Sequence, residues 1–151
     1  GDRELFELFE TGNAFDAVET VIARALAVKR HVVEQDETEG GLRRVLNFGH
    51  TVGHAVETVS GYSLLHGECV ALGMLPMVSP AVRERLLPVL ESLHLPTSYH
   101  GDPEAVIQAM AHDKKCVGGE ITVVRCESVG SFEFRNVPFS LLAEEMREVL
   151  Q

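Results

Sequence analysis

The sequence predicts a mainly α-helical domain that carries a small β-hairpin near its C-terminus. Three observations lead there. Most of the chain repeats its apolar residues at helical spacing. Glycines, prolines and capping residues cut that pattern into segments of ordinary helix length. Only around residues 121–134 do apolar residues alternate on either side of a turn. The 151 residues suit one domain, with no linker and no internal repeat. A chain of that size buries roughly 68–70% of its unfolded surface without help from disulfides or metal.

Residues 2–10 place Leu5, Phe6, Leu8 and Phe9 at helical spacing, and Thr11-Gly12-Asn13 stops them. A second helix is predicted from Asn13 to about Val33, with Phe15, Val18, Val21, Ile22, Ala25 and Leu26 on one side. Residues 34–41 are acidic and end in two glycines, which reads as a loop. A third helix is predicted from about Leu42 to Val59, with Gly61 past its end. His66-Gly67-Glu68 opens a fourth, which Pro76 and Pro80 interrupt. Residues 81–95 continue helical with a weak point at Pro88. Asp102-Pro103-Glu104 combines an N-cap with proline at the first helical position. Gly118-Gly119 leads into Ile121, Val123 and Val124, then Gly130, then Phe132 and Phe134, the pattern of a two-stranded hairpin. Ser140 is expected to cap a last helix that reaches about Leu150.

Thirteen Lys and Arg against twenty-three Asp and Glu leave a net charge of −10. Such a surface repels a polyanion, so no nucleic-acid partner is expected, although a local basic pocket for a small anion remains open. No apolar run approaches the ~20 residues of a membrane span, and no basic-then-apolar signal opens the chain. Cys69, Cys116 and Cys126 are odd in number and form no CxxC pair, which suits reduced thiols in the cytoplasm. No GxGxxG follows a strand, so no nucleotide-binding βαβ unit is expected in this chain.

The informative segment is LRRVLNFGHTVGHAVE, Leu42 to Glu57. On one continuous helix Arg43, Asn47, His50, His54 and Glu57 fall within roughly 80° of one another, a narrow polar stripe. Val45, Phe48, Val52, Ala55, Val56 and Val59 lie on the opposite side. Gly49 and Gly53 let something approach closely. Two histidines at i and i+4 can bind one metal, or one binds while the other does proton chemistry. The alternative is a solvated face with two surface histidines. His66, at a helix start, can be held rigidly and pointed into a cleft, whereas His31, His94 and His100 read as surface residues. Lysines in His112-Asp113-Lys114-Lys115 either satisfy terminal carbonyls of a helix or reach an anion. Lys29, alone and late in the second helix, has no such context.

Glu39-Gly40-Gly41-Leu42-Arg43, then Leu46-Asn47-Phe48-Gly49-His50-Thr51-Val52-Gly53-His54-Ala55-Val56-Glu57, then Leu65-His66-Gly67-Glu68-Cys69-Val70-Ala71-Leu72-Gly73-Met74 resemble the C-terminal domain of 3-dehydroquinate synthases. The likeness extends to Asp113-Lys114-Lys115 and the hairpin, nearly the whole chain. It implies the C-terminal half of the dehydroquinate synthase-like fold. The implied chemistry is cyclisation of a seven-carbon keto-acid sugar phosphate (DAHP) to 3-dehydroquinate with loss of phosphate, in the shikimate pathway. In the family a bound NAD oxidises a ring alcohol transiently, and a zinc or cobalt ion polarises hydroxyl oxygens. By position, His50 and His66 match the metal-binding histidines, and His54 matches a residue near the leaving phosphate. Arg43, Asn47, Lys29 and Lys114 match substrate contacts, and Glu39 matches a carboxylate near the substrate.

The resemblance has one large departure. The family supplies a third metal ligand, a glutamate in an Ala-Glu-Val-Ile-Lys-like helix, and an N-terminal NAD-binding domain, and neither is matched here. Glu4, Glu7 and Glu10 stand in a different pattern. The chain is therefore expected to be a piece of a longer, homodimeric enzyme and to be inactive alone. Two rivals remain. One is a sister sugar-phosphate cyclase of the 2-epi-5-epi-valiolone or aminodehydroquinate synthase type, against which Asn47, His54 and the lysine pair argue. The other is an iron-dependent alcohol dehydrogenase-like domain, against which the lysines and the LNFGHTxGHAxE pattern argue.

Overall fold

The computed structural model describes residues 1–37, 41–113 and 119–150. In chain order its elements are α1 (Arg3–Glu10), α2 (Val18–Gln35), a 3-10 helix (Leu42–Asn47), α3 (His50–Val59), α4 (His66–Met74), a 3-10 turn (Leu75–Met77), α5 (Pro80–Ser92), α6 (Pro103–Asp113), β1 (Glu120–Arg125), β2 (Glu133–Pro138) and α7 (Phe139–Val149). The predicted class, helical with a C-terminal hairpin, is the one that forms.

Local chemistry sets several of these boundaries. Asp2 caps α1 by accepting the Leu5 N–H at 3.0 Å, and Ser79 caps α5 by accepting the Val82 N–H at 3.3 Å. Pro80 therefore opens α5 rather than merely ending what precedes it, and Pro88 is accommodated inside that helix. α2 starts at Val18, five residues later than expected from Asn13, because residues 14–17 form turns. α7 starts at Phe139 behind Pro138, so Ser140 lies within it and is not its cap.

The largest correction concerns the third helix. Leu42 to Val59 is not continuous: a 3-10 helix ends at Asn47, Phe48 and Gly49 form a turn, and Gly49 takes φ +76° before α3 begins at His50. That left-handed conformation is open to glycine and strained for other residues. The apolar periodicity runs across the break, which is why spacing alone reads it as one helix.

Val52 and Val56 of α3, Leu72 of α4, Leu75 and Met77 of the 3-10 turn, Val106 and Met110 of α6, Val123 of β1, and Leu142 and Met146 of α7 fill one core. The strands pair antiparallel, from Glu120 opposite Pro138 to Arg125 opposite Glu133. Ser79 N–H donates to the Cys126 carbonyl and Cys126 N–H to the Met77 carbonyl, each at 3.0 Å, which ties the hairpin to the segment between α4 and α5. Arg125, 8% exposed, donates to the Pro76 carbonyl and pairs with Glu145 of α7. A buried guanidinium needs such partners, so this network fixes the hairpin's position. By contrast, Phe15, Val18, Ile22 and Leu26 stay largely exposed, so the apolar side of α2 faces outward.

α3 and α4 meet through glycines. A Cβ built on Gly73 lies 2.0 Å from the Gly49 carbonyl oxygen and 2.6 Å from the Gly53 nitrogen. One on Gly49 lies 2.8 Å from the Val70 carbonyl, and one on Gly53 lies 3.0 Å from the Cys69 carbonyl. Around Gly53 and Gly73 the obstacles are backbone atoms, which cannot rotate aside, and a Cβ on Gly49 meets the Met74 side chain at 2.7 Å as well. Gly73→Ala should therefore destabilise the fold by roughly 1–3 kcal/mol or more, as overpacking does. Gly67→Ala, with open space around its Cβ, should be neutral or stabilising by up to about 1 kcal/mol. Thermal and urea melts of the two variants check the contrast.

A second prediction concerns acid. Arg24 holds the Asp2 carboxylate from 3.8 down to about 2, chiefly through hydrogen bonds, aided by the bond from Leu5 N–H. A depressed carboxylate adds stability above its unfolded pKa and loses it as pH falls through the folded value. The advantage of the native chain over Arg24→Ala should thus be intact above about pH 4 and vanish toward pH 2. Unfolding curves at stepped pH measure this.

Candidate metal centre and its cleft

Three imidazoles converge where α3 meets α4. His50 and His54, one turn apart on α3, face His66, the first residue of α4. Ring centroids are 5.4 Å apart for His50–His54, 5.4 Å for His50–His66 and 5.7 Å for His54–His66. One ring nitrogen from each lies within 4.8 Å of the others. A tetrahedral zinc site with Zn–N near 2.0–2.1 Å sets its nitrogens about 3.4 Å apart, so small side-chain rotations close the set.

The outer contacts orient two of the rings. His50 Nδ1 stands 3.1 Å from the Phe48 carbonyl and His66 Nδ1 stands 3.2 Å from Glu57 Oε2. A carbonyl and a carboxylate can only accept, so Nδ1 is the donor in each contact, and in the neutral ring Nε2 is then the nitrogen with the lone pair. This is the arrangement in which an imidazole ligates a divalent cation, with a carbonyl or carboxylate behind it. Glu57 belongs to the polar stripe read from sequence, but its role behind His66 depends on how α4 packs. Glu68, next to His66, accepts the Leu65 N–H at 2.7 Å and so serves the start of α4.

Beside the histidines lies a cleft of about 290 Å³. Asn47, His50, Thr51 and His54 form one wall, and Thr122, Val123, Val124 and Phe134 of the hairpin form the other, with Arg44 at the edge. The structure thus brings together His50, His54, His66 and Asn47 of the residues singled out from sequence. It does not bring Arg43, whose N–H bonds Asp36 and whose guanidinium bonds the Glu37 carbonyl. The break before α3 rotates Arg43 off the stripe. Lys29 is exposed on α2 and does not line the cleft. Glu39 and Lys114 lie outside the described residues. Arg44, Thr51 and the hairpin wall were not foreseen; their placement follows from the break and from long-range packing, which no local pattern signals.

Burial pushes the Cys69 thiol up, and the Glu57 and Glu68 carboxylates add to this. Cys69, on α4, is buried and does not belong to the cluster of His50, His54 and His66. Burial likewise raises Cys126. No helix among the described residues is long and apolar enough to cross a membrane.

The chain is 40% identical to a 3-dehydroquinate synthase of Enterococcus faecalis over 143 residues, 87% of this chain and 39% of that protein. It is 36% identical to the synthase of Streptococcus sanguinis over 99% of this chain and 46% of that protein. The chain therefore spans less than half the length of these relatives. Among solved structures, ValA, a 2-epi-5-epi-valiolone synthase of Streptomyces hygroscopicus with NAD+ and Zn2+ bound, matches with a TM-score of 0.81 at 27% identity, covering 97% of this chain and 46% of that one. A 2-deoxy-scyllo-inosose synthase complexed with carbaglucose-6-phosphate, NAD+ and Co2+ shares the fold at a TM-score of 0.72 and 23% identity, over 89% of this chain and 42% of that one. The family model described as 3-dehydroquinate synthase C-terminal matches residues 1–116, and the chain belongs to that family.

Proposed function

We propose that this chain is the metal- and substrate-binding domain of a 3-dehydroquinate synthase, a phosphate-eliminating lyase that converts DAHP to 3-dehydroquinate. The observation that carries the reading is the convergence of His50, His54 and His66, two of them with Nδ1 already engaged by an acceptor. An all-imidazole donor set suits zinc or cobalt. Such an ion supplies Lewis-acid polarisation of a substrate oxygen when bound. NAD enters the reading through the family and through the bound NAD+ in the ValA structure.

In this reading His50 and His66 hold the ion, oriented by Phe48 and Glu57. His54, one turn beyond His50, holds or yields a proton at a ring nitrogen toward the departing phosphate. Asn47 offers both a donor and an acceptor to a substrate hydroxyl. Val123, Val124 and Phe134 keep water off one side of the cleft. Lys29, Arg43, Glu39 and Lys114 enter through the sequence motifs alone, as do homodimerisation and a cytoplasmic location. A sister cyclase is the second reading, favoured by the ValA match. Assay of the longer protein with DAHP against sedoheptulose 7-phosphate separates the two: turnover of only the latter refutes the first.

For this chain alone the expected outcome is weak one-to-one zinc binding and no release of phosphate from DAHP with added NAD, since the described cluster contains no carboxylate ligand. Tight zinc binding with turnover would overturn that expectation. Within the weak binding, His50→Ala and His66→Ala should each lower zinc affinity strongly. Glu57→Gln should lower it about 10–100-fold, the usual cost of losing a carboxylate behind a ligating histidine. Calorimetric titration with zinc measures all three.

A further inference from the structure

Helix α1 is held by charge more than by burial. None of its 8 residues is buried, although Phe6 packs on the edge of the core. Residues 2–10 carry the carboxylates of Asp2, Glu4, Glu7 and Glu10 against the single base Arg3. Two arginines of neighbouring helices meet them. Arg24 of α2 grips Asp2 through hydrogen bonds of 2.7 and 2.8 Å and reaches Glu4 at 2.6 Å. Arg85 of α5 grips Glu10 through bonds of 2.7 and 2.6 Å, and its guanidinium carbon stands 5.4 Å from the centroid of the Phe6 ring. A longer bond of 3.4 Å runs from Arg3 to the Val129 carbonyl. Against this helix lies a cavity of about 330 Å³, whose walls include Phe6, Val28, Val32, Phe48, Val82 and Leu86. Space beside an apolar wall forfeits the dispersion contacts that would otherwise fasten the helix.

We propose that α1 is a flap, latched by Arg24 and Arg85, that leaves this cavity as a unit while the rest of the core stays folded, and that its release loosens Phe48. Phe48 links the flap to the histidines: its side chain lines the cavity, and its carbonyl accepts the hydrogen bond from His50 Nδ1. Gly12, at φ +75° with open space around its Cβ position, supplies the hinge after α1. Exposed ion pairs contribute little each and are screened by salt, so the latch responds to ionic strength. Elements fastened this way open at lower free energy than the core beneath them.

Amide hydrogen exchange of this chain, followed by NMR without zinc, tests the flap. The Phe48 N–H bonds the Val45 carbonyl at 3.1 Å, and Leu72, fully buried on α4, reports global unfolding. The α1 amides and Phe48 should be protected at least about tenfold less than Leu72, and equally with each other within about threefold. Raising sodium chloride from about 0.05 M to about 1 M should speed both about five- to tenfold. Arg85→Gln should speed both by a similar factor at low salt, since it removes the ion pair and the contact with Phe6. The double variant Arg24→Gln, Arg85→Gln should lose the response to salt. Arg147→Gln, which removes an exposed pair with Glu104 away from α1, should leave both rates within about twofold. The salt series needs no substitution, so it decides the matter even where a variant folds poorly. Protection of α1 equal to that of Leu72, indifference of the native chain to salt, or a Phe48 amide that does not follow α1 overturns the proposal. No step depends on zinc, so failure of the metal reading is a separate outcome.

Discussion

The contact on which the site depends is the backbone-to-backbone approach of α3 and α4 at Gly49, Gly53 and Gly73. A Cβ on Gly73 would lie 2.0 Å from the Gly49 carbonyl oxygen, so the two helices cannot sit this close with any larger residue there. That closeness has a chemical consequence. His66 opens α4 and His50 opens α3, so the separation of the helices sets the separation of the imidazoles. A glycine chosen for packing thus decides whether three rings can address one ion. The same Gly49 adopts φ +76° and ends the preceding 3-10 helix, so it positions Asn47 and Arg44 as well.

A second layer converts proximity into a usable donor set. The Phe48 carbonyl and the Glu57 carboxylate each accept a hydrogen bond from an Nδ1, which makes Nε2 the lone-pair nitrogen of the neutral His50 and His66 rings. The hairpin supplies the far wall, and its position rests on Arg125, buried between the Pro76 carbonyl and Glu145. Removing one partner of such a buried pair costs far more than a surface ion pair contributes. The cleft is therefore bounded by one rigid helix pair and one pinned hairpin.

Much of this was legible in the sequence, for identifiable reasons. The helix segments, the hairpin and the cap-plus-proline start at Asp102-Pro103 are local patterns. The histidines were legible because i, i+4 spacing survives in α3 and because His66 heads its own helix. The break at Phe48-Gly49 was not, since apolar periodicity continues through it and one glycine inside a helical pattern is ambiguous. Reading through that break put Arg43 on the stripe, whereas the folded chain turns Arg43 to the Glu37 carbonyl and sends Arg44 to the cleft edge. The cleft's hairpin wall, the Glu57–His66 pair and the buried Arg125 are contacts between distant segments, which residue spacing does not encode.

The central claim, that glycine-mediated packing of α3 on α4 aims His50 and His66 at a single divalent cation, is tested most directly by zinc-edge anomalous diffraction from crystals of this chain soaked with zinc. The account predicts one strong peak about 2.0–2.1 Å from Nε2 of both His50 and His66, with their Nδ1 atoms still on Phe48 and Glu57. A peak bound through Nδ1, zinc held by other residues, or no peak between these two rings would contradict it.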